Sequence, residues 1–323
     1  MKKTVAILLI LGILFSFAAC GEPEYAHGSE KTVMKLGDHK VSEELYRYFL
    51  LNTMDEMADG DKTFFDGTDR EEKIKELEQK TLDCLKEYYA VIDLAKKCKI
   101  TLTDREKEAL HAAMEGTKSS FEDDAAYKEA LEKSYLSEYV AYCLYYNEEL
   151  YGVLYDVMSQ SGDYFSTKNG DILKYAKENF YFCRQFVVST EDTKGDTEAK
   201  AKAEDIRQRL VAGENPADIL KDYERDAKVA GAYYCFAESE DYLALDEAAV
   251  KKMKTGEISA IREDGYGFHI VMRLEADEEY LEENLTDTVF ESYCMHQIKL
   301  KMKEISDGYK VEYKNKKSPE RYR

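Results

Sequence analysis

Lys254-Thr255-Gly256-Glu257-Ile258-Ser259, followed shortly by Gly265-Tyr266-Gly267-Phe268-His269-Ile270-Val271, is the stretch on which the fold of this 323-residue chain turns. Glu257 to Ile261 and Phe268 to Leu274 read as two strands, with glycines punctuating the segment between them. Upstream, Asp246 to Met253 is helical in pattern and Tyr233 to Phe236 strand-like. Asn215-Pro216 has the form of an N-cap and first helical position. Ala199, Ala203, Ile206 and Leu210 fall on one stripe of a helix that stops at Gly213, and Phe182 to Val188 reads as a strand. Strand, helix, helix, strand, helix, strand, strand over Tyr181 to Ala276 describes a small α+β domain.

Outside that domain the period changes to helical. Ile74, Leu77, Thr81, Leu85, Tyr88, Ile92 and Ala95 recur at spacings of three and four, which predicts a long helix with one buried stripe. Thr103 and Glu106 form a capping-box signature for another. A third helix is predicted over roughly Ala125 to Met158, apolar on more than one face and rich in tyrosine, a side chain with both ring area and a polar tip. Val33 to Leu36, the turn Gly37-Asp38 and His39 to Val41 read as a hairpin, with Ser42 as N-cap of a following helix that carries Glu43 and Glu44 in its first turn. At the other end, Leu281, Leu285, Val289, Tyr293 and Ile298 mark a helix ending at Gly308, and Tyr309, Val311 and Tyr313 alternate as a strand does. A lone terminal strand leaves backbone groups unpaired, and the N-terminal hairpin is its expected partner. The expected fold class is therefore α+β and mostly helical. Residues 31–180 and 277–315 make a helical domain that is interrupted by the α+β domain at 181–276 and followed by a tail at 316–323.

Lys2 and Lys3, an apolar run from Val5 to Phe17 and then Phe17-Ala18-Ala19-Cys20 read as a signal peptide over 1–19, the run being short for a bilayer span of about 20 residues. Residues 20–30 read as a tether. Losing Lys2 and Lys3 with the leader takes the formal charge from −20 to −22. So acidic a body is a poor partner for nucleic acid and for anionic lipid, and suits solubility or the attraction of basic, unfolded clients. The six cysteines after Cys20 are irregularly spaced and are expected to be free thiols. No CxxC, HExxH or clustered His/Cys set points to a metal, and no phosphate-cradling glycine loop is evident, so no cofactor is expected.

The leader's last four residues resemble a bacterial lipobox, with Phe17 where Leu is usual, which implies lipidation of Cys20 and anchoring at the outer face of the cytoplasmic membrane. The order of leader, hairpin and helix, helical domain, α+β domain and C-terminal helix with strand resembles the PrsA and SurA foldases over nearly the whole mature chain. The inserted domain resembles a parvulin prolyl isomerase in element order and in motifs. Lys254 to Ser259 and Gly265 to Val271 are similar to that family's Gly-Glu-(Ile/Val)-Ser and Gly-Tyr-His-Ile-Ile. Tyr223-Glu224-Arg225-Asp226 is similar to its Tyr-Ser-x-Asp. Cys183-Arg184-Gln185-Phe186-Val187-Val188 stands where Ala-Arg-His-Ile-Leu-Val is usual, so Gln185 replaces the first active-site histidine. Tyr266 stands where Ser or Thr is expected, and Asp241 and Leu245 where the groove's Met and Phe are.

The resemblance implies a catalytic set of Gln185, Asp226 and His269 and a substrate groove of Tyr233, Phe236, Leu245 and Phe268. Rotation about an X-Pro bond must break amide resonance against a barrier near 20 kcal/mol, so a catalyst has to favour the twisted amide over the planar one. With Gln185 for histidine and a carboxylate at Asp241, weak or lost turnover is expected. Simpler readings of the same residues are a strand-end histidine at His269, a turn cap at Asp226 and core positions at Tyr233, Phe236, Leu245 and Phe268. The expected function is an exported, membrane-anchored chaperone that binds unfolded or nascent exported polypeptides. The alternatives are a fully active prolyl isomerase and a solute-binding or structural lipoprotein.

Overall fold

The computed structural model describes residues 31–190, 197–237, 247–275, 288–315 and 319–322. Cys20, Asp241 and Leu245 lie outside them. The chain divides into two compact units, one of residues 1–165 with 295–323 and one of residues 166–294. The second is wider than the 181–276 read from the sequence.

In the first unit, β1 (Thr32–Leu36) and β2 (His39–Ser42) form the hairpin, and β7 (Val311–Tyr313) pairs antiparallel with β1, giving the order β2-β1-β7. Gly37 turns the hairpin at φ +55°, where a Cβ would come within 3.2 Å of the Tyr309 ring. Ser42 caps α1 (Glu43–Ala58) by accepting the Leu45 amide at 3.2 Å. α2 (Arg70–Cys98) buries Leu77, Thr81, Leu85, Tyr88 and Ala95 on one stripe, and the Thr81 hydroxyl satisfies itself on the Leu77 carbonyl at 2.7 Å. Thr103 and Glu106 make a reciprocal capping box at the start of α3 (Asp104–Ser119).

The single helix expected over Ala125 to Met158 is two, α4 (Asp124–Lys133) and α5 (Glu138–Gln160). The chain breaks because Tyr135 adopts φ +60° and Ser137 starts afresh as an N-cap, accepting the Val140 amide at 3.2 Å. The Tyr135 hydroxyl then donates to Asp55 on α1. α5 packs Leu150, Leu154 and Met158 against Val91, Leu94 and Ala95 of α2 and against Ile298 of the C-terminal helix α10 (Thr288–Asp307). Each such side chain, wholly withdrawn from water, contributes about 1.5–3 kcal/mol. α1, α2, α5 and α10 also border a groove of about 870 Å³, walled by Phe49, Tyr88, Val91, Leu144, Tyr151 and Met302.

The second unit runs α6 (Asn169–Asn179), β3 (Phe180–Ser189), α7 (Thr197–Val211), α8 (Pro216–Asp222), β4 (Val229–Ala237), α9 (Glu247–Lys252), β5 (Arg262–Asp264) and β6 (Gly267–Leu274). Its sheet is antiparallel throughout, in the order β4-β3-β6-β5. The strand expected at Glu257 to Ile261 is displaced to β5. Ile258 makes only an isolated bridge to Met272, although the segment stays tied to β6 through Arg273 N–H to the Glu257 carbonyl and Ser259 N–H to the Val271 carbonyl. Alternation sorts the side chains between two faces. Phe186, Val188, Phe268 and Ile270 pack under Ala199, Ala203 and Ile206 of α7. Cys183, Phe236 and Val271 pack under Val250 of α9. Cys84, Cys98, Cys143, Cys183, Cys235 and Cys294 are all unbridged. No helix among the described residues is long and apolar enough to cross a membrane.

Candidate functional site

The stretch Lys254 to Ser259 folds as a clamp on the end of β6. Gly256 takes φ +81° and its amide reaches the Arg273 carbonyl at 2.8 Å, while the Glu257 carboxylate turns back to accept the Lys254 amide at 2.8 Å. Ser259 accepts the Val271 amide on its hydroxyl at 2.9 Å. These contacts give Gly, Glu and Ser in the motif separate backbone tasks. Gly267 is required outright, since at φ +143° a Cβ would sit 2.2 Å from the Val188 carbonyl oxygen.

His269 and Gln185 meet on the α9 face of the sheet. Val187 is the direct cross-strand partner of His269 and Val271 that of Gln185, so the two are diagonal neighbours on one face. The Gln185 amide nitrogen lies 3.0 Å from His269 Nδ1, and His269 Nε2 lies 2.9 Å from Asp264 Oδ1. Both central residues are buried, with Gln185 2% and His269 6% exposed. Asp264 is the polar partner that sequence reasoning missed. It stands one residue before the Gly265 to Val271 stretch, and the hairpin between β5 and β6 brings it back to the ring. Burial works to raise the Asp264 pKa, but the Tyr266 amide, the His269 ring and Arg262 hold the carboxyl below its ordinary value.

Asp226 is engaged elsewhere. Its Oδ2 is 2.7 Å from Lys202 Nζ on α7, and its Oδ1 accepts the Lys228 amide at 3.0 Å in the turn before β4. The Lys202 ammonium, and after it the Lys228 amide, lowers its pKa. The turn-cap reading of Asp226 describes these contacts.

The three described residues of the expected groove do not share a surface. Phe236 faces the same side as His269 but is completely buried, stacked on Tyr181 with centroids 5.6 Å apart. Phe268 is core on the opposite face beneath α7. Tyr233, directly opposite Arg184 across the β3–β4 pair, is also on that opposite face, 41% exposed, with the Arg184 guanidinium 4.0 Å above its ring. Residues one apart in a strand point to opposite sides, which is why Phe268 cannot line a groove with His269. Leu245 lies outside the described residues. Among the described residues no cluster of His, Cys, Asp and Glu has the arrangement of a metal site.

Comparison with known proteins matches residues 1–140 to the SurA-like N-terminal domain and residues 185–275 to the PPIC-type PPIase domain. The chain thus carries a SurA-like N-terminal domain ahead of a PPIC-type domain. Its isomerase-type domain is the one that carries Gln185, His269 and Asp264. It is 25% identical over 132 residues to the chaperone SurA of Chromohalobacter salexigens, covering 39% of this chain and 30% of that protein. It is 30% identical over 98 residues to the chaperone SurA of Saccharophagus degradans, covering 30% of this chain and 23% of that protein. The chain thus spans less than a third of the length of these curated relatives. It is also similar to the crystal structure of PrsA from Bacillus subtilis, at 19% identity over 74% of this chain and 88% of that one, with a TM-score of 0.26.

Proposed function

We propose that the protein is an exported folding factor, held to the membrane by a lipid on Cys20, that binds unfolded polypeptides and carries an isomerase domain of weak or lost activity. The observation that carries this reading is the pairing of a SurA-like N-terminal domain with a PPIC-type domain whose histidine has both ring nitrogens within hydrogen-bond reach of protein side chains. A prolyl isomerase acts by favouring the twisted amide, through polar groups free to address it and an apolar seat for the ring. Gln185 takes up one nitrogen of His269 and Asp264 the other, while Phe236 is packed away as core. Little of that equipment is left open to a substrate.

Client binding on this reading belongs to the first unit. Its groove combines tyrosine and aliphatic walls with Asp83, Glu87, Lys299 and Lys303 among its lining residues. That mixture suits extended chains of varied sequence, because aromatic rings grip without demanding one partner and the acidic body attracts basic segments. A protease-coupled assay on proline peptides, run on wild type, His269→Ala and Gln185→His, tests the isomerase half of the proposal. Wild type within about twofold of the uncatalysed rate supports it. A wild-type rate more than a hundredfold above background, abolished by His269→Ala, contradicts it and establishes an active isomerase.

A further inference from the structure

The carboxylate that meets His269, that of Asp264, stands just before the Gly265 to Val271 stretch. We propose that Asp264 is a positioning residue for His269, holding the ring in the Nε2–H tautomer and, with Gln185, keeping both ring nitrogens committed to the protein. The inference deepens the reading of the isomerase domain given above and rests on it.

Proton inventory carries the argument. A neutral imidazole has one N–H donor and one acceptor nitrogen. With the Gln185 amide nitrogen 3.0 Å from Nδ1, Nδ1 accepts, and the ring hydrogen must sit on Nε2. From there it is donated to Asp264 Oδ1 at 2.9 Å. A carboxylate only accepts, so it selects this tautomer. The other tautomer would set the Nε2 lone pair against Oδ1 and a ring N–H against the amide N–H.

Asp264 can exert that selection because it is itself fixed. The same Oδ1 accepts the Tyr266 amide at 2.9 Å, and Oδ2 faces the Arg262 guanidinium at 3.2 Å. The hairpin that presents it is pinned by Gly267, packed without a Cβ against the β3 backbone. Among the described residues, the charged groups in contact with this carboxylate and ring are Arg262 and Asp264 themselves, both on the hairpin; β3 contributes the neutral Gln185. Asp226, paired with Lys202, plays no part in setting the tautomer. His269 consequently forms a fixed polar wall, and its Nε2–H reaches a substrate amide only when Asp264 lets go.

Nitrogen-15 and proton NMR of the histidine side chain near pH 7.5 tests this in the folded protein. Wild type is expected to show a single Nε2–H tautomer for His269, with a ring proton that exchanges slowly with water. Asp264→Ala is expected to give a tautomer mixture and ring-proton exchange at least tenfold faster. Asp264→Asn, whose amide oxygen can still accept, restores the single tautomer, and Asp226→Ala keeps the wild-type pattern. An Nδ1–H tautomer or a mixture in wild type overturns the proposal without recourse to any variant, as does a pattern that responds to Asp226→Ala and not to Asp264→Ala. The proline-peptide assay on the same samples separates the two ideas, because wild-type turnover bears on the isomerase reading and the tautomer pattern on Asp264.

Discussion

Lys202 Nζ stands 2.7 Å from Asp226 Oδ2, pairing the carboxylate that the sequence assigned to chemistry with a helix of the domain's own core. This pair lowers the Asp226 pKa, so its stabilising contribution is present above the unfolded carboxylate value near 3.9 and is lost as pH falls through the lower folded value. Lys202→Met should therefore lower the urea midpoint at pH 7, and the gap from wild type should narrow at about pH 3. Equal gaps at the two pH values would show that the variant acts through packing alone.

Gly267 offers a test of the hairpin. Gly267→Ala adds a Cβ that meets the Val188 carbonyl oxygen and the Ser189 Cα at 2.2 and 2.9 Å, both of them backbone, at a positive φ that disfavours any side chain. Backbone strain and overpacking of this kind cost about 2–4 kcal/mol together. Calorimetry should show the transition containing the sheet lowered by several degrees, with the His269 ring resonances shifted. An unchanged thermogram would mean that β6 does not press on β3 here.

Burial protects two of the thiols. It pushes the Cys183 thiol up to about 12 and the Cys294 thiol up to about 11, against about 8.5 for a free cysteine. Both should resist a thiol reagent at pH 8 in the folded protein and react at once in denaturant, with mass spectrometry locating the label. Rapid native labelling at Cys183 would contradict its place beneath α9.

How far the sequence exposes this structure depends on whether a feature is local. Ser42, Thr103 with Glu106, and the stripe from Leu77 to Ala95 are read within one turn or one helix face, and the structure has them as expected. The break at Tyr135 escapes because tyrosine has no special preference for φ +60°, and apolar periodicity runs straight through it. Pairing of β7 with β1 can be inferred by elimination, since each has an unmet backbone edge. The site fares worse. Gln185 and His269 lie 84 residues apart, and motif positions bring them together. Asp264, by contrast, is found only once the hairpin is folded. Phe268 answers to its core reading, since adjacency to His269 in sequence means opposition across the sheet, and Asp226 to its turn-cap reading, with its partner Lys202 on a separate helix.

The account depends most on the first unit holding unfolded chains without help from prolyl isomerisation. Light scattering of a denatured client diluted into buffer, with the mature protein at equimolar concentration, measures this directly. The expected result is aggregation cut by more than half, undiminished in His269→Ala and weakened by Leu144→Asp in the groove wall. Scattering equal to that of the client alone would contradict the account.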